Sequence, residues 1–261
     1  MGKKGAKKHT KRIAAPVTYK LPRKTKKFTF HARNGAQPAK DGIPLGIVLR
    51  DIWNVVLNRK EMKFILNSKN VLVDGVPIND SRYIVGPMDV ISLPAENKHY
   101  RVLPWQGRRK LNIVEINPDH ATWKFLKVKN KITVKHGDIQ LNCTTGRNIL
   151  LKKPESGKYE SKWDNPATFS TNGTIKFDIN EKKILDFYPF TENASVLVTA
   201  GVNTGKWGYL QLYENRIGKN RSICIIKNPD GQQIITAMEN VFVIGGEKPD
   251  ISHYQIATTN N

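Results

Sequence analysis

Cysteine is scarce in this 261-residue chain: Cys143 and Cys224 lie far apart and outside any C-x-x-C spacing. That argues against a disulfide framework or a zinc knuckle and fits a reducing compartment. Long apolar runs are missing too. No stretch approaches the roughly 20 residues that cross a bilayer, so no membrane partner is expected. The chain opens Met1-Gly2-Lys3-Lys4 without the apolar core of a secretory signal. Its basic residues are mostly Lys, unlike a mitochondrial presequence, and Ala6 stands where a myristoylation signal wants Ser or Thr. Catalytic spacings are also absent. His9, His31, His99, His120, His136 and His253 fall into no H-x-x-x-H, H-E-x-x-H or H-x-E pattern. Asp178, Glu181 and Asp186 are neighbours in sequence, but carboxylates on alternating strands usually face solvent and no pocket is announced for them. Gly201-Val202-Asn203-Thr204-Gly205-Lys206-Trp207 is one residue short of a phosphate loop, with Trp207 where Ser or Thr would hold magnesium. The alternating residues after it predict a strand, whereas a phosphate loop must open a helix. Neither an enzyme, a cofactor, a metal nor a small-molecule substrate is expected.

Negative charge is the other shortage. There are 43 Lys and Arg against 22 Asp and Glu, a formal net charge of +21. No fold needs that surplus, but a polyanion would neutralise it with release of counterions, so nucleic acid is the first partner to consider. From Met1 to Lys40 there is no acidic residue at all. Like-charge repulsion and few apolar residues predict an extended arm over 1–42, disordered alone and ready to order along phosphates. The arm carries Lys7, Lys8, His9, Lys11 and Arg12. Further basic clusters are Arg23-Lys24 with Lys26-Lys27, Arg108-Arg109-Lys110, and Lys124, Lys127, Lys129 and Lys131. Trp105, Trp123 and Phe125 lie among them, as bases stacked on aromatics would require, although core packing is the commoner use of such rings.

The rest of the chain divides by periodicity. Leu45, Val48, Leu49, Ile52, Trp53 and Val56 recur at helical spacing, predicting one amphipathic helix from Ile43. Asn58 and Glu61 form a capping-box pattern for a second helix with Met62, Ile65 and Leu66 inward, and with Arg59, Lys60 and Lys63 on the neighbouring face. Strands follow at Val71–Val73, at Val76–Ile78 after the turn Asp74-Gly75, and at Met88–Leu93. This gives a small α+β module over 43–104. A central β domain spans 105–187, with a long surface loop from Lys152 to Gly173. An SH3-like barrel spans 188–261, with strands at Ser195–Thr199, Trp207–Tyr213, Ser222–Lys227, Gln233–Ala237 and Val241–Ile244. The expected fold class is mixed and mostly β.

These residues resemble one family closely, the S-four proteins of the eukaryotic and archaeal small ribosomal subunit. Lys7-Lys8-His9-Thr10-Lys11-Arg12-Ile13-Ala14-Ala15-Pro16 is similar to its K-K-H-x-K-R-x-x-A-P signature. Leu49-Arg50-Asp51, Val73-Asp74-Gly75 and Gly86-Pro87-Met88-Asp89-Val90-Ile91-Ser92 resemble its RNA-binding module, where many members have Phe at the position of Pro87. Val198 to Gly208 resembles its KOW motif and Asn240 to Gly245 its last strand. The resemblance implies a structural constituent of the small subunit that binds and positions ribosomal RNA, with neighbouring ribosomal proteins as partners. It implies a cytoplasmic location in the ribosome, and a nucleolar one during assembly if the source is eukaryotic. It implies RNA contacts by the arm (Lys7, Lys8, His9, Lys11, Arg12), the module (Arg50, Arg59, Lys60, Lys63, Lys69), the cluster Arg108, Arg109 and Lys110, and a KOW turn (Gly201, Gly205, Lys206, Gly208) whose amides face RNA. The alternatives are a pseudouridine-synthase-like RNA-modifying enzyme, for which only Leu49-Arg50-Asp51 stands in place of an R-L-D segment, and a KOW-type transcription or translation factor.

Overall fold

The computed structural model describes residues 9–107, 110–154, 159, 161–216 and 221–251. Three five-stranded antiparallel sheets succeed one another along the chain, so the mixed, mostly β class expected from the sequence is what forms. The first runs in the spatial order Val76–Pro77, Leu72–Val73, Val90–Leu93, Lys98–Pro104, Leu111–Ile116. Its tightest turn is Asp74-Gly75, where both residues have positive φ (49° and 73°), the backbone a two-residue hairpin loop demands. Helix Arg59–Asn67 packs Met62 and Leu66 into a core shared with Leu45, Val48, Leu49, Val73 and Ile91. The Glu61 carboxylate accepts the amides of Leu57 (2.9 Å) and Asn58 (3.3 Å), and these bonds hold its carboxyl below the ordinary range.

The helix predicted from Ile43 to Val56 is much shorter. Ile43–Pro44 pairs as a strand with Ile84–Val85, a single α turn covers Leu45–Ile47, and Val48–Ile52 widens into π turns. There the amides of Trp53 and Val55 reach the carbonyls of Val48 (2.9 Å) and Leu49 (3.0 Å), and the segment stops at Asn54 with φ of 55°. Periodicity located the buried residues, but it does not distinguish a regular helix from a widened one.

The basic arm is corrected more strongly. Residues 9–42 fold onto the module: Thr10–Lys11 pairs with Phe28–Thr29, and Ala15 and Tyr19 enter the module core. Two arginines make this possible. Arg12 is buried and donates to the carbonyl of Pro22 (2.8 Å), the hydroxyl of Thr25 (3.1 Å) and Asp51 (2.8 Å). Arg23 gathers the carbonyls of Arg12, Ile13, Ala15 and Pro16 at 2.8–3.3 Å. Charge counting treats every arginine as repelling its neighbours, whereas these two serve as donors for a segment with few regular hydrogen bonds.

The central sheet has the order Asn148–Leu151, Ile139–Cys143, Trp123–Thr133, Thr174–Asp178, Ile184–Tyr188. The segment after Lys152 is not all surface. Phe169 is fully buried against Trp163 and Phe187. The third sheet has the order Gln233–Ala237, Ile223–Lys227, Trp207–Glu214, Ser195–Val198, Val241–Gly245. All five strands contribute to, or border, one core cluster that includes Val196, Val198, Leu210, Cys224, Ile226, Ile234, Val241 and Val243.

The strand Trp123–Thr133 joins the three units. Its residues 123–128 are all buried, because both faces are covered. Trp123 and Phe125 share a cluster with Leu103 of the first sheet, with Met88 in the turn before its strand Val90–Leu93, and with Leu197, Trp207, Phe242 and Ile244 of the third. A strand covered on both faces loses the simple alternation of a half-exposed one.

Candidate nucleic-acid interface

Arg59, Lys60 and Lys63 all stand exposed on the outer side of helix Arg59–Asn67, and Lys69 is exposed just beyond its end with φ of 57°. The helix is pinned beneath them by Met62 and Leu66, so these cations project from a fixed frame. Phe64 lies among them with 74% of its surface exposed, and Leu57 precedes them with 75%. Neither was singled out from the sequence. Phe64 lies off the Met62–Ile65–Leu66 stripe, and its helical phase was the signal that could have found it. Arg50 is different: its guanidinium bonds Asp51 (2.8 and 3.2 Å) and lies 4.7 Å from the ring centre of Phe30. It is committed to protein contacts.

Arg12 was expected at RNA, and its burial with Asp51 contradicts that. His9 and Lys11 are exposed, with the His9 ring 5.7 Å from that of Phe28. Lys7, Lys8, Arg108 and Arg109 lie outside the described residues. The cluster around Trp123 is also corrected. Lys124 is buried, its ammonium 2.5 Å from Asp74 and 2.8 Å from Asp89. Burial opposes its charge, but the two carboxylates prevail and raise it above its ordinary pKa, while burial raises the Asp89 carboxyl as well. Arg147 stands 3.5 Å from Asp74, so two cations meet two anions. Lys127 donates to the carbonyls of Val241 (2.6 Å), Met238 (3.1 Å) and Glu239 (3.3 Å), and burial pushes its ammonium down to about 8. These lysines tie units together and are shielded from solvent. Of that cluster, Lys129 stays exposed, while the ammonium of Lys131 bonds the carbonyl of Pro166.

The KOW-like turn has the compact shape expected, but its groups are used differently. The amides of Gly205 and Lys206 are given to the carbonyls of Val198 (2.7 Å) and Asn203 (3.2 Å), and the Thr204 hydroxyl donates to Gly201 (2.7 Å). Gly205 has φ of 85°, and a Cβ there would lie 2.3 Å from the backbone of Trp105 and Gln106. Gly208 is similarly tight, a Cβ being 2.2 Å from the Lys227 carbonyl oxygen. Both glycines permit close packing, and the Gly205 amide is committed within the turn. What the turn exposes is Gly201 and Val202, with Lys206 half-buried. The fold sets this turn against the hairpin tip that holds Gly107 and the exposed Lys110, joining two clusters nearly a hundred residues apart.

Residues 96–184 match the model of the ribosomal family S4e, and residues 4–39 match the RS4NT domain. The small ribosomal subunit protein eS4 of Methanocaldococcus jannaschii is 40% identical over 252 residues, covering 96% of this chain and 99% of the relative. The chain belongs to the S4e family of ribosomal proteins. The eS4 protein of Metallosphaera sedula is 36% identical, covering 93% of this S4e chain and 98% of its own. The crystal structure of the 30S ribosomal protein S4e of Thermoplasma acidophilum shares the fold, with a TM-score of 0.62 at 23% identity over 79% of this chain and 96% of that one. Among the described residues of this S4e chain, no cluster of three His, Cys, Asp or Glu side chains could hold a metal ion. Among the described residues, no helix is long and apolar enough to cross a membrane.

Proposed function

We propose that this chain is a structural, non-catalytic constituent of the small ribosomal subunit that fixes ribosomal RNA helices relative to one another. The observation that carries this reading is the face of helix Arg59–Asn67: exposed cations on a helix locked into a core, within an S4e chain of net charge +21. Arg59, Lys60, Lys63 and Lys69 neutralise phosphates, and the exposed ring of Phe64 offers a stacking surface to an unpaired base. His9 and Lys11 extend this contact along the folded amino-terminal segment. Lys206 and Lys110 supply a second one where the turn and the hairpin tip meet, and Lys7, Lys8, Arg108 and Arg109, next to these residues in sequence, add to the positive charge offered to RNA. The division into units at 1–42, 43–104, 105–187 and 188–261 belongs to the same proposal, with residues 9–42 of the first read as a folded extension of the second. Ribosomal RNA and neighbouring ribosomal proteins are the partners, and the location is the cytoplasmic ribosome, with a nucleolar stage in a eukaryotic source.

Sedimentation of tagged chain from lysate through a sucrose gradient tests the role. Salt-resistant comigration with the small subunit at about one copy per particle is expected, since an embedded interface is held by more than screened charge. Recovery at the top of the gradient sinks the proposal and favours a transient factor. For the face itself, R59A/K60A/K63A should flatten the salt dependence of RNA binding by about 2–3 in log–log slope if each residue neutralises a phosphate. An unchanged slope removes the helix from the interface.

A further inference from the structure

The carboxy-terminal sheet carries a feature that RNA binding does not use. In its register Leu212 lies opposite Ile225, and Ile225 opposite Ile235, so the three side chains form one row across three adjacent strands. The row lies on the face away from the core, where Leu210, Ile226 and Ile234 make the equivalent inward row. Leu212 is 53% and Ile235 65% exposed. A strand with one wet face should alternate apolar with polar, yet Ile223-Cys224-Ile225-Ile226 and Ile234-Ile235 do not. That pattern belongs to strands covered on both sides. Ile235 also sits on the edge strand of its sheet, a place where bare aliphatic surface invites pairing with another chain.

Charge indicates what does the covering. From Tyr188 to Asn261 there are six basic and six acidic residues, so the whole surplus of +21 resides in the preceding chain. Around the row, Gln233 bonds Gln211 (3.3 Å), Glu214 is paired with Arg216 (3.0 Å), and Lys227 lies beyond them. A phosphate backbone gains little from such a surface, whereas the apolar, charge-poor centre of a protein–protein interface matches it. We propose that the outer face of strands Trp207–Glu214, Ile223–Lys227 and Gln233–Ala237 docks another protein of the small subunit through that partner's own aliphatic, weakly charged surface. The labour is then divided: the amino-terminal two-thirds and the turn that carries Lys206 hold RNA, and this face of the last sheet holds a protein neighbour.

The proposal rests on the ribosomal reading, and the test separates the two. The full chain is made in cells with a photoreactive p-benzoylphenylalanine replacing Ile235 in one version and Lys63 in another, and small subunits are isolated and irradiated. Comigration with the subunit and an RNase-sensitive adduct at position 63 report on the ribosomal reading alone. At position 235 the expected product is a protease-sensitive, RNase-resistant adduct with one other small-subunit protein. Its yield should change less than about twofold when irradiation is repeated in 1 M salt, because apolar contact is not screened. An RNase-sensitive adduct, an adduct with a second copy of this chain, or no adduct at position 235 while position 63 still reacts would overturn the assignment.

Discussion

Replacing Lys124 by Met should destabilise the protein more than any exposed substitution. The side chain is long and apolar in both residues, so packing is nearly kept and the perturbation is one of charge. Asp74 and Asp89 lose the ammonium that lies 2.5 and 2.8 Å away, and both carboxylates are almost wholly shielded from water. Asp74 keeps Arg147 at 3.5 Å and the Val90 amide at 3.1 Å, and Asp89 keeps the Gly86 amide at 2.8 Å, so some compensation survives. Breaking a buried pair by removing one partner costs about 3–5 kcal/mol. At roughly 2–4 °C per kcal/mol for a chain of this size, Tm should fall by about 6–20 °C. Guanidinium denaturation of the full chain, followed by tryptophan fluorescence, measures the loss. The decisive companion is D74N/D89N/K124M. Asparagine retains an oxygen for each backbone amide while no net charge is left buried, so the triple variant should be more stable than K124M alone. A loss below about 1 kcal/mol for K124M, or a triple variant that is weaker still, would refute the view that these groups form a neutralised clasp between the module and the central sheet.

Other substitutions separate scaffold from interface. R12M should cost roughly 3 kcal/mol by leaving Asp51 and the Pro22 carbonyl underused, yet leave the RNA affinity of the folded fraction unchanged; a lower affinity at unchanged Tm would return Arg12 to the RNA surface. G205A places a Cβ 2.3 Å from the backbone of Trp105 and Gln106 and should lower Tm and increase the collisional quenching of Trp105, already 39% exposed, as the turn and hairpin part; an unchanged Tm with wild-type quenching would show that the turn and hairpin are not packed as described. For Lys127 the folded pKa is about 8, below the ordinary 10.5, so the unfolded chain binds more protons between those values. This residue's contribution to stability therefore rises as pH goes from about 8 to 10.5, and K127L should abolish that part of the pH slope in parallel denaturation curves.

The sequence by itself determined the family and the mostly β class, and it pointed to RNA as the partner to test. Those rest on local facts: the signature from Lys7 to Pro16, a charge of +21, and turn residues such as Asp74-Gly75 whose backbone preferences act over a few positions. It also located the helix carrying Arg59, Lys60 and Lys63, because capping and apolar phase are short-range. Only the tertiary structure decided which cations are free. Arg12, Lys124 and Lys127 read in sequence like Lys11 or Lys63, since a positive charge looks the same whether water, phosphate or a distant carboxylate neutralises it. Their partners Asp51, Asp74, Asp89 and Val241 lie 35 to 114 residues away, beyond the reach of any local pattern. The same holds for Gly205, whose need for close packing arises from a backbone it meets only in the folded chain. Burial of a charge depends on what long-range packing brings to it, and that is fixed by the assembly of the three sheets around Trp123–Thr133.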